Sequence, residues 1–233
     1  MVLSLAGCGR LGFTDRAPLD GTVADTTHDG TSDAASDSSR DAAMLGPCTP
    51  LALGDDFNDN ATAATWTVIA NNPVTTAETG GQLEVTLSTA GGSHYGGYDS
   101  MAVQNLDNHC MYVSFTTTPT NEANVEMTFA ARQLSGSVGF VYHLGVLDPF
   151  VNIGTFQSFG GVTYDPVMHK VLRLREDNGT MSWETSADGT TFTVLTSQPD
   201  PLAVAGIIVV LEAGTFASAA SPGIARYDNF DTP

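Results

Sequence analysis

Covalent or acid–base chemistry in this chain would have to come from three cysteines, five histidines and scattered carboxylates. Cleaving a glycosidic bond needs two carboxyl groups roughly 5 to 10 Å apart across that bond, whereas Glu84, Glu126 and Glu184 each stand alone on an alternating segment. Glu126 has parity opposite to Val125, which predicts a solvent-facing side chain. Glu184 is expected beside Arg173, a cation that lowers a carboxyl pKa and suits a structural ion pair better than a general acid. No Gly-x-Ser-x-Gly elbow occurs, and His94, His109, His143 and His169 lack a recognisable serine or cysteine partner. Although His109 adjoins Cys110, there is no Cys-x-x-Cys and no histidine at zinc spacing, which argues against a zinc site or a redox dithiol.

The cysteines speak instead about compartment. Leu5-Ala6-Gly7-Cys8 reads as a lipobox, after which a bacterial signal peptidase cuts so that the Cys8 thiol can carry lipid. Only Met1 to Gly7 precede it, without Lys or Arg and short of the roughly 7 to 15 apolar residues a signal core needs. Either the match is chance or the true start lies upstream; the composition after Cys8 favours the second. Gly9 in place of Asp resembles bacterial lipoproteins routed to the outer membrane. The expectation is an exported protein, partnered with a membrane through an N-terminal lipid. Cys48 and Cys110 are then left over. In an oxidising space they are expected to form one disulfide worth about 4 kcal/mol, with two buried free thiols as the alternative.

Residues 9–47 carry Asp15, Asp20, Asp25, Asp29, Asp33, Asp37 and Asp41 among Ala, Ser, Thr and Gly. Such a segment cannot offset roughly 1 to 2 kcal/mol per residue of backbone entropy by burial, so a solvated acidic linker is expected. The glycines fall too irregularly for a calcium-binding repeat. This stretch holds −4 of the net −18, leaving −14 to residues 48–233. A domain that acidic repels phosphate backbones, which excludes nucleic acid as a partner.

From 48 onward no amphipathic helix of several turns is legible, and period-two runs recur. Leu83, Val85 and Leu87 alternate with polar residues, as do Val125, Met127, Phe129 and Ala131. Asn178-Gly179 and Asp188-Gly189 are hairpin signals. The first pairs Leu174 with Trp183, Arg173 with Glu184 and Leu172 with Thr185. The second pairs Thr185 with Phe192 and Trp183 with Val194. Together they predict an apolar face of Leu172, Leu174, Met181, Trp183, Phe192 and Val194, backed by polar Arg173, Arg175, Ser182 and Glu184. Many short strands without helices leave a two-sheet antiparallel sandwich or a closed barrel. The short aromatic-centred segments at Asp55-Asp56-Phe57 and Tyr227-Asp228-Asn229-Phe230-Asp231 favour a sandwich with its ends side by side.

Asp55-Asp56-Phe57, Trp66, Gly80-Gly81-Gln82-Leu83, the run from Leu172-Arg173-Leu174-Arg175 to Trp183 and Phe192, and Tyr227-Asp228-Asn229-Phe230 together resemble the concanavalin A-like lectin/glucanase jelly rolls, LamG-like domains included, of bacterial secreted proteins. The likeness spans nearly all of residues 50 to 231. It implies a jelly-roll sandwich and says little of activity. Glucanases of that superfamily carry Glu-x-Asp-x-Glu or Glu-x-Asp-x-x-Glu on one strand, and no such run exists here. The resemblance therefore implies a non-catalytic, surface-exposed binding module, with a glycan the expected ligand. A glycoside-acting enzyme and a structural envelope protein that binds another protein are the alternatives. Sugar-stacking candidates are Tyr95 and Tyr98 in a glycine-rich loop tip, and Phe150, Phe156 and Phe159 in a loop-rich stretch after Pro149. Trp183 is assigned to the core. Arg173, Arg175 and Glu184 would line a groove or form a solvated face. Calcium recurs as a structural ion in the superfamily, and Asp55, Asp56, Asp59, Asp228 and Asp231 would hold it if the terminal strands meet; surface carboxylates are the other reading.

Overall fold

A computed structural model describes residues 48–232, so the lipobox at Cys8 and the Asp-rich segment 9–47 lie outside the described residues. The described chain contains strands and no helix. Two sheets stack face to face. One has eight strands in the order Thr193–Pro199, Thr180–Ser186, Val171–Asp177, His109–Thr117, Ile224–Asp228, Gln82–Thr86 and Thr75–Thr79, with Thr49–Pro50 lying parallel on His109–Thr117. The other has nine, ordered Phe156–Ser158, Val146–Asn152, Gly136–His143, Val125–Gln133, Ala205–Thr215, His94–Ser100 and Trp66–Ala70. Val162–Thr163 and Gln104–Asn105 pair beside this path. Apart from that one parallel pair the ladders are antiparallel, and the architecture is a jelly-roll sandwich.

Alternation decides which residues face the space between the sheets. Leu83 and Val85 from one layer, and Val125, Met127, Phe129 and Ala131 from the other, are all buried in one core. Trp183 is fully buried, and its indole Nε1 donates to the Gly139 carbonyl of the opposite sheet at 2.8 Å. Tyr227 likewise donates from the eight-stranded layer to the Thr128 carbonyl at 3.1 Å. These bonds satisfy the polar ends of large aromatic side chains inside an apolar layer, which burial requires. The ends of the domain meet as expected: Asp55 bridges Phe230, and Trp66 packs edge-on against Phe230 with centroids 5.2 Å apart. Cys48 and Cys110 are bonded, closing a loop of sequence separation 62.

The first hairpin has the expected register, Leu174 opposite Trp183, Arg173 opposite Glu184 and Leu172 opposite Thr185. The second is shifted. Thr185 faces Thr193, Glu184 faces Val194 and Trp183 faces Thr196, with a bulge between Trp183 and Glu184. The cause lies in the connection. Ser186 Oγ accepts from the backbone of Asp188 and Gly189, and Asp188 Oδ1 accepts from Thr190 and Thr191, so the Asp-Gly pair sits in a wide side-chain-bonded loop rather than a two-residue turn. Val194 is therefore exposed, and Phe192 is half-buried on the outer side over Arg173. Two further expectations change. Tyr95, Gly96 and Gly97 belong to the strand His94–Ser100, not a loop tip, and Pro149 and Phe150 lie within the strand Val146–Asn152.

Candidate functional site

Each sheet has an outer face, turned away from its partner, and both carry charge. On the eight-stranded sheet the register places Tyr112, Arg173 and Glu184 in one row, and Cys110, Arg175 and Ser182 in the next. Glu184 accepts from Arg173 Nε at 2.5 Å and lies 3.4 Å from Arg175 Nε, while Arg175 Nη2 reaches Asp177 at 3.8 Å. The Phe192 ring centroid is 3.5 Å from Arg173 Cζ, and Arg173 Nη1 donates to Cys48 Sγ at 3.7 Å. Arg173, Arg175 and Glu184 are all buried. The expected groove or solvated face is neither: it is a closed ion-paired cluster, because Phe192 and Cys48 lie against it. Burial lowers the Arg173 pKa, and the Glu184 carboxylate opposes that shift.

The expected aromatic platform divides. Tyr98 is fully buried between Phe57 and Trp66, its hydroxyl donating to Glu78 at 2.8 Å, so its ring is closed to a ligand. Phe159 packs on Trp183 with centroids 5.5 Å apart, as part of the core. Phe150 is buried and stacks on Phe156. Tyr95 alone among the tyrosines proposed lies on an outer face.

The five aspartates converge less than their positions suggested. Asp55 accepts from the Phe57 backbone and from Trp66 Nε1, Asp56 from Asn58 and Asp59 from Ala61. Asp231 accepts from the Tyr112 backbone, and Asp228 from Gln82. Among the described residues no three His, Cys, Asp or Glu side chains cluster so as to hold a metal. Each of the five accepts from a donor of the protein itself, while Asp231 Oδ2 is buried without a hydrogen-bond partner.

The nine-stranded sheet brings together groups that sequence reasoning left apart. Val125–Gln133 pairs with Ala205–Thr215 so that Glu126 faces Gly214 and Thr128 faces Glu212; Tyr95 lies across from Gly214, and His143 across from Glu126. Directly paired residues share a face. Glu126, Thr128, Arg132, Glu212, Tyr95, Asp99 and His143 therefore all project from one side of the sheet. A Cβ on Gly214 would come within 2.5 Å of the Tyr95 ring, and one on Gly97 within 1.9 Å of the Leu211 carbonyl. Only glycine lets the Tyr95 ring lie flat against the neighbouring strand.

Two carboxylates here share one guanidinium, and a third, Glu126, stands on the same side of the sheet. Arg132 pairs with Asp99 through Nη2 and with Glu212 through Nη1 at 3.5 Å. Tyr95 donates its hydroxyl to Glu126 Oε1 at 2.6 Å. Glu126 is 1% exposed, and its Oε2, like Asp99 Oδ1, is buried without a hydrogen-bond partner. Burial pushes the Glu126 carboxyl up to about 7, the Tyr95 hydrogen bond opposing and Glu212 reinforcing the shift. Burial also raises Glu212 and Asp99, with Arg132 pulling both down. A carboxyl protonated near neutral pH next to a second carboxylate can donate where its neighbour accepts. The parity that put Glu126 outside the core was right, but the outer face there is covered. Glu212 was missed; its signal was a single acid in the apolar run Ile207-Ile208-Val209-Val210-Leu211-Glu212-Ala213.

No known family profile matches this chain, and no curated relative matches it in sequence. Solved structures do share its fold. A protein of unknown function from Shewanella oneidensis aligns with TM-score 0.54 and 12% identity, covering 88% of this chain and 94% of that one. The β-glucanase of Bacillus licheniformis aligns with TM-score 0.55 and 8% identity over 76% and 94% of the two chains. A β-1,3-1,4-glucanase (lichenase) from a mouse hindgut metagenome aligns with 0.53 and 9% over 76% and 95%. The fold is that of the glucanase jelly rolls. At these identities the likeness extends to architecture alone.

Proposed function

We propose that this chain is an exported, lipid-anchored carbohydrate-binding module that holds a neutral glycan on the outer face of the nine-stranded sheet, through Arg132, Glu212, Asp99 and Tyr95. One observation carries the reading: Asp99 and Glu212 share a single arginine and Glu126 stands on the same face, so carboxylates outnumber cations in the cluster, and Glu126 Oε2 and Asp99 Oδ1 have no hydrogen-bond partner. Sugar hydroxyls supply donors in rows, which the partly exposed Asp99–Arg132–Glu212 cluster would receive. The net −14 of residues 48–233 turns anionic ligands away. The glucanase folds among the structural neighbours support a carbohydrate reading by analogy.

A glycan array probed with the full chain tests the proposal. Binding that Glu212→Gln and Arg132→Met each weaken supports it, and binding indifferent to both variants, or none, overturns it. Anchoring at Cys8 is tested by the mass of the N-terminal peptide from membranes; the Cys48–Cys110 disulfide supports an oxidising compartment.

A second reading, glycoside hydrolysis, is favoured by Glu126 alone. Its carboxyl near 7 is what a general acid needs, with Glu212 on the adjacent strand as the second carboxylate. Release of reducing ends from β-glucans, abolished by Glu126→Gln, would establish it, and no release would remove it.

A further inference from the structure

The chain enters the sandwich at one end, and the nine-stranded layer carries an apolar rim there. Thr49 and Pro50 lie beside His109 and Cys110, at the start of His109–Thr117. Leu106, three residues earlier, donates its backbone N–H to the Val204 carbonyl, and Gln104–Asn105 pairs with the start of Ala205–Thr215, which fixes that end in both sheets. The connections emerging there from the nine-stranded sheet present Met101 and Val103 after His94–Ser100, Leu134 between Val125–Gln133 and Gly136–His143, and Ile153 after Val146–Asn152. Met101 is 64% exposed, Val103 65%, Leu134 105% and Ile153 42%. Residues 101–106, 134–135, 153–155 and 201–206 contain no Asp, Glu, Lys or Arg, and the charges bordering them, Asp107, Glu176 and Asp200, are all acidic and near one another. A groove lined by Ile153, Thr155, Pro199 and Pro201 continues the surface toward the sheet edges. The opposite end also exposes Val167 and Met168, on a single connection beside Asp165 and Lys170.

We infer that this rim is an interaction surface for a lipid layer with neutral headgroups, the membrane that holds Cys8. The inference rests on the anchoring reading. Its apolar groups are protruding turn tips, which enter a soft surface more readily than they fill a rigid pocket. Residues 9–47, leading back to Cys8, join at this end, so a domain held by lipid presents its rim to the membrane without the chain having to cross the sandwich. Tethering raises the effective concentration of the surface, so weak partition suffices. The acidic charge of the domain opposes approach to anionic lipid and leaves zwitterionic headgroups as the match.

Flotation of the full chain carrying Cys8→Ser, hence without lipid, with vesicles of phosphatidylcholine and phosphatidylethanolamine tests this. The comparison variant adds Met101→Ser, Val103→Ser, Leu134→Ser and Ile153→Ser, all exposed positions, with its unfolding midpoint measured alongside. Partition of the parent about tenfold above this variant at unchanged midpoint, and weaker on vesicles containing phosphatidylglycerol, is expected. Failure of the parent to float, or equal flotation of both, overturns the inference. So does a dimer seen by light scattering that the four serines dissolve, which would assign the rim to a second copy. Absence of an acyl group on Cys8 of the wild-type chain overturns the anchoring reading instead, while flotation still decides whether the rim takes lipid.

Discussion

The two outer faces solve the same problem in opposite ways. On the eight-stranded sheet one carboxylate, Glu184, sits between Arg173 and Arg175, with Phe192 and Cys48 against the cluster. On the nine-stranded sheet Glu212 and Asp99 share Arg132, Glu126 accepts from Tyr95, and two carboxylate oxygens, Glu126 Oε2 and Asp99 Oδ1, have no hydrogen-bond partner. Buried charge is tolerated when paired and hydrogen-bonded, and penalised when it is not. The first face also leaves Glu184 Oε1 and Arg175 Nε without a hydrogen bond, but these opposite charges lie 3.4 Å apart as an ion pair. The second keeps an imbalance that its contacts do not explain, and such imbalances gather at functional sites.

The largest test of that contrast removes the anion from the balanced face. Glu184→Leu leaves two buried guanidiniums with their central partner gone, and is expected to lower the unfolding free energy by about 3 to 5 kcal/mol. Denaturant midpoints at constant m-value would measure it. A loss under about 1 kcal/mol would mean the cluster is solvated and the two faces are alike.

The unbalanced face should respond in the other direction, and to pH. Glu126 has a folded pKa of about 7, above its ordinary 4.5. The folded state therefore binds more protons between those values, so its stability is fully present below the lower one and is lost as pH rises through the upper. At 1.36 kcal/mol per unit, the ionised group should cost about 3 kcal/mol at pH 8. Glu126→Gln is expected to recover about that much at pH 8 and under about 1 kcal/mol at pH 5, because Gln can still accept from Tyr95. Unfolding curves at the two pH values check this, and a variant equally shifted at both would show that the carboxyl stays ionised throughout.

The contrast also explains what could be read from sequence. Asn178-Gly179 fixed the register of Arg173 against Glu184, because a two-residue turn leaves one pairing only. Asp188-Gly189 misled because Ser186 and Asp188 bond the backbone themselves, a competition that dipeptide counting does not see. Alternation put Trp183 inside and Glu126 on the outer face, but the solvent exposure expected of Glu126 is absent, since it is 1% exposed. It could not show that Glu126 is covered, since cover on an outer face comes from residues distant in sequence. Nor could it bring Glu212 and Asp99 to Arg132, which needed the order of three strands drawn from separate parts of the chain.

A smaller effect is expected from the one cation of the unbalanced face. Arg132 is partly exposed, so its pairing with Asp99 and Glu212 is screened. Arg132→Met should destabilise by about 1 to 2 kcal/mol at pH 8 and less at pH 5, where Asp99 and Glu212, both raised by burial, take up protons more readily. Combined with Glu126→Gln, the loss at pH 8 should shrink, since the carboxylates then repel one another less. Strict additivity would place Glu126 outside the network and reduce the site to an Asp99–Arg132–Glu212 ion pair.

The smallest change sharpens the balanced face. Phe192 was expected on the apolar side of its sheet and instead lies over Arg173, with the ring centroid 3.5 Å from Cζ. Leucine at 192 keeps an apolar cover and removes the ring quadrupole, so Phe192→Leu should cost about 1 kcal/mol and lower Tm by about 2 to 4 °C. The discriminating measurement is a cycle with Arg173→Met. If the ring acts on the guanidinium, its removal should matter less once the cation is gone; if it acts only as a lid, the two losses add. The first outcome makes Phe192 part of the charge balance, and the second leaves Glu184 as the sole counterweight to Arg173.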